Sequence, residues 1–389
     1  MKKTIYAFLG IILCSVAFSC TNVAPIDVDD IPQASLLERD MKRWAEEKDL
    51  QKQQDEDDAA YKVRVEEMYN KYYEAIRAYK KDPNHKIVYG WFRGALWKAQ
   101  QGAPDTYLSN IPDSVDCVSI WGGVGEFGED DPRWEDLRIA QEVKGLRVIL
   151  CWQTGTSGLG LPGGVEAFNE RHKGEDNVQK AVSYAKELTA HIKKLNLNGY
   201  DIDWEPNVGD HGFGCSNLYH NCEDPDNDAA PIRAFIDEMG KNFGPKATSG
   251  YNPRNSGTYF FFDGEMHDLI HRFPEKAPYF DYFVEQNYRR VQSDYMNTNI
   301  EGFTNNKIVL ADEFEMGGAG AYGGMGGTKE NPISIRKAKY VRDNNLGGWA
   351  SYHIELDPNY MYSRQIIQIM NPSSSFDPKR DKTNTLKDL

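Results

Sequence analysis

Positive charge is scarce in this sequence. Its 389 residues contain 45 Lys and Arg against 59 Asp and Glu, which gives a formal net charge of -14. Nucleic acids and anionic membrane surfaces are bound through a concentrated positive field, so the charge balance disfavours both as partners and favours a neutral ligand. The hydrophobic content of 40% and the aromatic content of 12% are ample for a large core, and they exclude a disordered protein.

The apolar run near the N-terminus is too short to span a membrane as a helix. It extends from Ile5 to Phe18, follows Lys2 and Lys3, and is followed closely by Cys20. This order is typical of a bacterial export signal, so residues 1–19 are predicted to be a signal peptide.

The residues around Cys20 resemble the lipobox of bacterial lipoproteins, because Ser19 stands directly before it and Ala17 lies two residues earlier. The resemblance implies that Cys20 is lipidated and becomes the mature N-terminus. An acidic cluster after it resembles the signals that send some Gram-negative lipoproteins to the cell surface: Asp27, Asp29 and Asp30. We therefore expect an outer-membrane lipoprotein, at the cell surface or the periplasmic face, which contacts the membrane only through this lipid.

Cysteine is also sparse, and four of the six remain after the N-terminal pair is set aside. Cys117 and Cys151 lie in apolar runs and are predicted to be buried thiols. Cys215 and Cys222 lie in a loop rich in Gly, Asn and Asp, in a compartment that permits a disulfide. A calcium site is the alternative for this loop, which also carries two histidines and several acids, but its spacing fits no known ligand pattern. No metal and no cofactor are predicted.

Glycine and proline are absent from residues 33–81, which are therefore predicted to be helical. Residues 46–58 within them are polar and are interpreted as a solvated stalk. The sequence Asp82-Pro83-Asn84 then ends the helix. The predicted organisation is a signal peptide at 1–19, a lipid-anchored linker and helical stalk at 20–82, a catalytic domain at 83–371, and a polar, disordered tail at 372–389.

From Lys86 onward, short apolar runs alternate with longer amphipathic segments, which predicts β/α units and a parallel sheet. Eight such units in about 285 residues match a (β/α)8 TIM barrel. The stretch between Tyr288 and Lys307 is too short and polar for a helix, so one crossover is predicted to be a loop. The predicted strands are 87–92, 117–121, 147–153, 199–205, 247–251, 280–288, 307–314 and 347–353, and the clearest helices are 177–195, 229–243, 263–273 and 333–344.

Three acids alternate along the predicted fourth strand: Asp201, Asp203 and Glu205. Successive side chains of a strand point to opposite faces, so these three line one face. Carboxylates so close together cannot all ionise freely, and at least one should have the raised pKa that general acid catalysis needs at neutral pH. A solvated edge strand is the alternative, but the opposite face of the strand is apolar. A strand that is buried on both faces does not retain charged groups without a function.

Aromatic residues near strand ends are candidates for stacking on sugar rings. Trp91, Trp121 and Trp152 occupy such positions, and one or two of them are expected in the site with the rest in the core. The Gly-rich segment 316–327 lacks the Gly-Lys-Ser/Thr ending of a phosphate-binding loop and is predicted to be a mobile rim loop.

The segment 198–205 resembles the Asp-Gly-x-Asp-x-Asp-x-Glu signature of glycoside hydrolase family 18, which includes chitinases and endo-β-N-acetylglucosaminidases. Gln286-Asn287-Tyr288 stands where the family ends its sixth strand with an inward Tyr. The segment 347–352 resembles the eighth strand, whose Trp forms the floor of the sugar subsite, here Trp349. The resemblance covers the barrel, and it implies that Gln286, Asn287 and Trp349 bind substrate.

The resemblance also implies roles for the acids. Glu205 would protonate the glycosidic oxygen and later deprotonate water. Asp203 would orient the N-acetyl group of the substrate and stabilise the oxazolinium ion that it forms, while Asp201 would modulate Asp203 through a shared proton. Tyr288 would donate a hydrogen bond to the acetamido carbonyl, with Gln286 beside it.

The sequence departs from the chitinase pattern at several positions. Asn198 replaces the first acid of the signature, Arg289 follows Tyr288 where many chitinases have Asp, and 151–155 lacks the usual Ser-x-Gly-Gly. The Gln-x-Tyr ending of the sixth strand, the short crossover after it and the lipoprotein setting resemble endo-β-N-acetylglucosaminidases instead. This resemblance implies endo-acting cleavage of the GlcNAc-β-1,4-GlcNAc core of N-glycans by a retaining, substrate-assisted mechanism. N-glycans or glycoproteins are the expected substrates, and the enzyme is expected to be a monomer. A chitinase and a non-catalytic glycan-binding barrel are the alternatives.

Overall fold

The computed structural model describes residues 35–205 and 229–372. The predicted signal peptide, the predicted lipidation site Cys20, the predicted polar tail, and both Cys215 and Cys222 lie outside these ranges. Within the described residues, no helix is long and apolar enough to cross a membrane.

Eight parallel strands form a closed barrel in chain order, because the first strand pairs with both the second and the eighth. The predicted (β/α)8 fold is therefore confirmed. The strands are β1 (Ile87–Arg93), β2 (Cys117–Trp121), β3 (Arg147–Gln153), β4 (Gly199–Trp204), β5 (Tyr259–Gly264), β6 (Tyr282–Glu285), β7 (Ile308–Glu313) and β8 (Gly348–Tyr352).

Helices surround the barrel or precede it. There is no α-helix between β6 and β7, only a 3-10 turn at Asn305–Lys307, which confirms the predicted loop crossover. The α-helices are α1 (Leu36–Glu47), α2 (Asp58–Tyr79), α3 (Arg133–Arg138), α4 (Gly164–Arg171), α5 (Asn177–Lys194), α6 (Ala230–Met239), α7 (Met266–Arg272), α8 (Ile333–Asp343) and α9 (Met361–Met370).

The predicted fifth strand at 247–251 is wrong. This segment is a turn, in which the amides of Thr248 and Ser249 both donate to the carbonyl of Lys241. The fifth strand is instead Tyr259–Gly264, whose end had been assigned to a helix. Its run of aromatic residues covers both faces of the sheet, with Phe261 inside the barrel and its neighbours outside, so it shows no polar alternation that would indicate a strand.

Two apolar layers hold the barrel together. The inner layer fills the barrel and includes the thiols of Cys117 and Cys151, which confirms that both are buried. The outer and larger layer lies between the strands and the helices. Residues of one strand alternate between the layers, as Val88 and Phe92 (outer) and Tyr89 and Trp91 (inner) show for β1.

The N-terminal helices form a hairpin that packs on the barrel. Trp44 of α1 is 4% exposed and makes an edge contact with the ring of Tyr69 of α2. The buried Lys144 amine donates to the Asp40 carboxylate at 3.3 Å and to the Ser109 carbonyl at 2.8 Å, which ties α1 to the body. Both helices therefore pack on the barrel, whereas most of residues 46–58, the segment interpreted as a solvated stalk, are exposed.

Asn198 fastens the N-terminal end of β4. Its side-chain oxygen accepts hydrogen bonds from the Val148 amide at 2.8 Å and from Gln141 Nε2 at 2.7 Å. Its side-chain nitrogen donates to Ser256 Oγ at 2.6 Å and to the Gly257 carbonyl at 2.7 Å. The residue is 0% exposed, so this departure from the signature acid has a structural role that needs both an acceptor and a donor.

We predict that Asn198→Ala lowers the free energy of unfolding by roughly 2–3 kcal/mol, because it leaves buried donors without acceptors. Asn198→Asp should also destabilise the protein, since its second oxygen would face the Gly257 carbonyl. Urea unfolding measures both effects, with the exposed Asn177→Ala as the control. An Asn198→Ala stability equal to that of the control would contradict this role.

Candidate active site

The three predicted acids lie on one face of β4, at increasing distance from the barrel core. Asp201 is 0% exposed, Asp203 is 4% exposed, and Glu205, directly after the strand, is half-buried. The period of a strand places all three inward, as predicted. Since β4 runs towards the C-terminal face, the least buried acid lies at the mouth of the barrel, where barrel enzymes have their active sites.

Asp201 is held by donors from β1. Its Oδ2 accepts a hydrogen bond from the Tyr89 hydroxyl and another from the Trp91 indole at 3.1 Å. The Tyr89 hydroxyl also contacts Ser119 Oγ at 2.6 Å. Burial raises the pKa of Asp201, while hydrogen bonds from Tyr89, Asp263, Cys151 and Trp91 oppose the rise. Trp91 is thus part of the site as a hydrogen-bond donor and not as an exposed stacking surface.

A fourth carboxyl group, Asp263 of β5, belongs to the same cluster. It is 0% exposed and is paired with Asp203 in the register of β4 and β5. Gln286 Nε2 donates to Asp263 Oδ1 at 2.5 Å and to Asp203 Oδ1 at 3.2 Å, so one amide bridges two strands. Asp263 was not predicted to be a site residue, because the segment 263–273 was predicted to be a helix. The alternation of Asp263 with Phe261 in an aromatic segment is the sequence signal for its inward direction.

The carboxyl groups favour their neutral forms. Burial raises the pKa of Asp203 well above its usual value, and the charges of Glu205 and Asp201 add to the rise. Burial followed by the charges of Asp201 and Asp203 does the same for Asp263. The pKa of Glu205 is also raised, first by burial. The cluster must therefore share protons, which is the condition expected from the spacing of the acids.

Glu205 has a partner that the sequence analysis did not assign to the site. Gln153 Nε2, at the end of β3, donates to Glu205 Oε2 at 2.8 Å. Gln153 follows the inward residues Ile149 and Cys151 by the period of a strand, so the alternation predicted its direction. This hydrogen bond lowers the pKa of Glu205 against the effect of burial.

Tyr288 also faces the acids. It packs against the inner apolar layer. Burial, followed by the charges of Asp263, Asp203 and Glu205, raises the pKa of its hydroxyl well above the usual value. The hydroxyl therefore stays protonated and can donate a hydrogen bond.

The predicted sugar floor at Trp349 is wrong. Trp349 is 0% exposed in the outer layer, and its indole donates to Asp312 Oδ2 at 2.5 Å. Asp312 also forms a fully buried ion pair with Lys337 at 2.9 Å. The inward aromatic residue of β8 is Tyr352, three positions later, which makes edge contacts with the rings of Trp91 and Trp121.

Two other predicted binding residues face away from the cluster. The Asn287 side chain points to the opposite face from that of Gln286, and its amide donates a hydrogen bond to the Gln292 carbonyl at 3.0 Å. Trp152 packs on the outer layer, and its indole donates to Thr156 Oγ1 at 2.8 Å. Trp121 is partly exposed at the inner mouth and remains a candidate stacking residue.

Among the described residues, the ligand atoms of Cys151, Asp201 and Asp263 lie within 4.8 Å of one another, close enough to surround a cation. However, Tyr89 and Trp91 direct O–H and N–H groups at Asp201. Donors of this kind stabilise a carboxylate or a shared proton and would repel a metal ion. The arrangement is therefore better suited to proton sharing.

The fold and the site together define a barrel glycosidase with alternating acids on its fourth strand. The family model described as "Glycoside hydrolase family 18, BT1044-like" matches residues 54–317, and the chain belongs to glycoside hydrolase family 18. A solved structure of selenomethionine BT1044 with a Glu-to-Gln substitution is 25% identical, with a TM-score of 0.63 over 78% of this chain and 93% of that one.

Two further relatives are more distant. The endochitinase of Brugia malayi is 24% identical over 144 residues, which are 32% of this chain and 27% of that protein. The chain thus spans about a quarter of the length of this curated relative. A solved chitinase from Bacteroides thetaiotaomicron is 13% identical, with a TM-score of 0.44 over 76% of this chain and 99% of that one.

We predict that Asp263→Asn stabilises the protein above pH 4, by an amount that grows as the pH rises. The raised pKa means that the folded protein binds more protons here than the unfolded chain, so this group's contribution to stability is full below its unfolded pKa of about 3.9 and is lost as the pH rises. Asparagine keeps an acceptor for Gln286 and cannot ionise.

Urea unfolding of wild type and variant between pH 4 and pH 8 measures this effect. The exposed Asp130→Asn serves as the control and should show no such trend. A stability difference for Asp263→Asn that stays constant over the pH range would show that Asp263 is ionised without cost.

Proposed function

We propose that this family 18 glycosidase cleaves the GlcNAc-β-1,4-GlcNAc core of N-glycans with retention of configuration. The observation that carries the proposal is the bridging amide of Gln286, which lies beside Asp203 and is followed on the same face by Tyr288. This Gln-x-Tyr ending and the helix-free crossover after β6 resemble endo-β-N-acetylglucosaminidases more than chitinases.

Glu205 supplies the proton in the first step. Burial raises its pKa, which favours the protonated carboxyl group, and its place at the mouth gives it access to the glycosidic oxygen. The proton moves to this oxygen as its bond to C1 breaks. The carbonyl oxygen of the substrate's acetamide attacks C1, so the substrate provides the nucleophile, as in the substrate-assisted glycosidases of this family.

Asp203 and Tyr288 control the acetamide. Asp203 accepts a hydrogen bond from its N–H and stabilises the positive charge of the oxazolinium ion, while Tyr288 donates to its oxygen. In the second step Glu205 takes a proton from water, the water oxygen forms the new bond to C1, and the acetamide is released. Holding the acetamide beside C1 replaces a protein nucleophile by proximity.

A chitinase is the second candidate, favoured by the sequence similarity to an endochitinase. A glycan-binding barrel without activity is the alternative from a different class. A protein that only binds glycans would not need the Glu205 carboxyl group at the mouth or the hydrogen bond from Gln153 that orients it. The two enzyme candidates differ in substrate, and direct assay separates them.

We expect the wild type to release glycans from an N-glycosylated protein and leave one GlcNAc on the polypeptide. Glu205→Gln should lower kcat by about 10²–10⁴-fold, the usual contribution of a general acid, because the amide keeps the shape but has no proton to give. Mass spectrometry of the digested glycoprotein and of chitin oligomers gives the products.

Cleavage of chitin oligomers alone would favour the chitinase. Cleavage of neither substrate, combined with measurable glycan binding, would favour the binding protein. Equal rates for wild type and Glu205→Gln would exclude Glu205 as the acid.

Gln153 provides a separate test of the acid's environment. Gln153→Leu removes the hydrogen bond that favours the ionised form of Glu205, so the pKa of Glu205 should rise further. The acid then stays protonated to higher pH, and the alkaline limb of the kcat/KM profile should move upwards. Gln179→Leu, at the exposed start of α5, is the control. A shift to lower pH would contradict the assignment of Glu205 as the acid.

We also propose that the protein is an outer-membrane lipoprotein, anchored through Cys20 and exposed at the cell surface. The proposal rests on the lipobox-like sequence before Cys20 and the acidic residues after it. Labelling with a radioactive fatty acid, lost in Cys20→Ala, tests the anchor, and protease treatment of intact cells tests the orientation.

A further inference from the structure

A second pocket lies at the opposite end of the barrel from the acids. Its volume is about 500 Å³, and it is formed where α2 ends and where β3 and β5 begin. The residues that line it include five cationic side chains and one acid: Arg77, Lys80, Lys81, Arg147, Arg254 and Glu142. A basic pocket of this kind is not expected from a net charge of -14.

The cations are held mainly by neutral oxygens. Arg77 donates to the Val143 carbonyl, and Lys80 donates to the Lys144 carbonyl at 3.0 Å. A carbonyl oxygen satisfies one N–H group but leaves the positive charge in place. Within the described residues, neither side chain forms an ion pair with a carboxylate.

Arg147 is held in the same way. Its guanidinium donates to the Ser256 carbonyl at 2.9 Å and to the Tyr259 hydroxyl at 2.8 Å, and it lies 4.4 Å from the centre of the Tyr259 ring. These two hydrogen bonds use the Nε and Nη1 atoms and fix the orientation of the guanidinium group. A ligand can therefore bind to the remaining N–H groups without further loss of side-chain entropy.

Arg254 forms the one ion pair of the pocket that the described residues show, with Glu142 at 2.9 Å. Glu142 also contacts Arg138 at 3.3 Å, so its single charge is divided between two guanidinium groups. The Nε of Arg254 is buried and has no hydrogen-bond partner. An unsatisfied buried donor of this kind is costly, and a bound acceptor would remove the cost.

The buried Lys80 shows the electrostatic consequence. It is 8% exposed, and burial, together with the charges of Arg147 and Lys144, lowers the pKa of its amine to about 8, although Asp116 and Asp113 act in the opposite direction. Burial is the main cause of this shift, and the charges of Asp116 and Asp113 act on the amine more strongly than those of Arg147 and Lys144.

Gly145 keeps the pocket open on the side of Arg77. Its φ of +65° is strained for a residue with a side chain, and an added Cβ would lie 2.9 Å from Arg77 Cγ. Residue 145 must therefore be glycine for the Arg77 side chain to keep its place along this side of the pocket.

We propose that this pocket binds the phosphate group of a phosphate ester, through the free donors of Arg147, Arg254 and Lys81. Guanidinium groups suit a tetrahedral oxyanion because they offer parallel N–H donors. The volume admits an ester with an attached headgroup and not only the free ion. The pocket is remote from the glycosidase site, so the proposal does not depend on the substrate proposed above.

Two sources offer this chemistry: a phospholipid headgroup and a soluble phosphate ester. α2 contributes Arg77, and Lys80 and Lys81 follow directly after it; this helix belongs to the hairpin that leads towards the N-terminal segment. If Cys20 carries lipid, the base of the barrel can approach the membrane while the acids face away from it. The experiment therefore includes arms that separate the two sources.

Isothermal titration calorimetry of the full-length Cys20→Ser protein with inorganic phosphate, at constant ionic strength set with sodium chloride, tests the site. We expect saturable binding that weakens at least 10-fold in Lys81→Gln/Arg254→Gln. The exposed Lys186→Gln should bind as the wild type does. Lys81→Gln alone keeps the test valid if the double variant does not fold, and it should weaken binding several-fold.

Sedimentation with vesicles identifies the source. Binding to vesicles of phosphatidylcholine with phosphatidylglycerol, but not of phosphatidylcholine alone, and its loss in the double variant, would assign the pocket to lipid headgroups. Phosphate binding without vesicle binding would assign it to a soluble ester. Heat signals for phosphate no greater than those for chloride, or equal phosphate affinity in wild type and double variant, would overturn the proposal.

Discussion

The placement of four carboxyl groups, three buried and one half-buried, in a single cluster is the constraint on which the rest of this barrel depends. Asp201, Asp203, Asp263 and Glu205 lie on β4 and β5 in one hydrogen-bonded cluster, and the pKa of each is raised by burial. A group of charges with so little water is tolerated only if donors surround it or protons remain in it. The donors come from β1, β3 and β6, so only the closed barrel brings them together.

The position of each acid along the barrel axis separates their roles. Asp201 lies deepest and receives the Tyr89 and Trp91 donors, while Glu205 lies at the mouth and accepts a hydrogen bond from the Gln153 amide. A proton held at the mouth can reach a substrate, whereas one held between Asp201 and Asp263 cannot. In a family whose substrate supplies its own nucleophile, this division leaves one half-buried acid at the mouth and three buried carboxyl groups that support it.

The two ends of the barrel carry different ionisable groups. Acids lie at the C-terminal ends of the strands, and the basic pocket lies at the base, between α2, β3 and β5. Summed over the chain, the net charge conceals this separation. The helical hairpin adds a charged group to the base, because Asp40 of α1 is buried there and its carboxylate pairs with the Lys144 amine. The hairpin is therefore part of the folded body.

The sequence alone determined that Asp201, Asp203 and Glu205 share one face, because the alternation of a strand is a local property of the backbone. It also predicted the barrel, through the succession of apolar runs. Only the tertiary structure decided which face of each strand points inward, since both faces of a buried parallel strand are apolar and look alike in sequence. Trp349 was assigned to the sugar floor by family resemblance, but it faces outward, and Tyr352 faces the barrel interior. Asp263 was placed in a predicted helix, and only the pairing of β5 with β4 shows it beside Asp203.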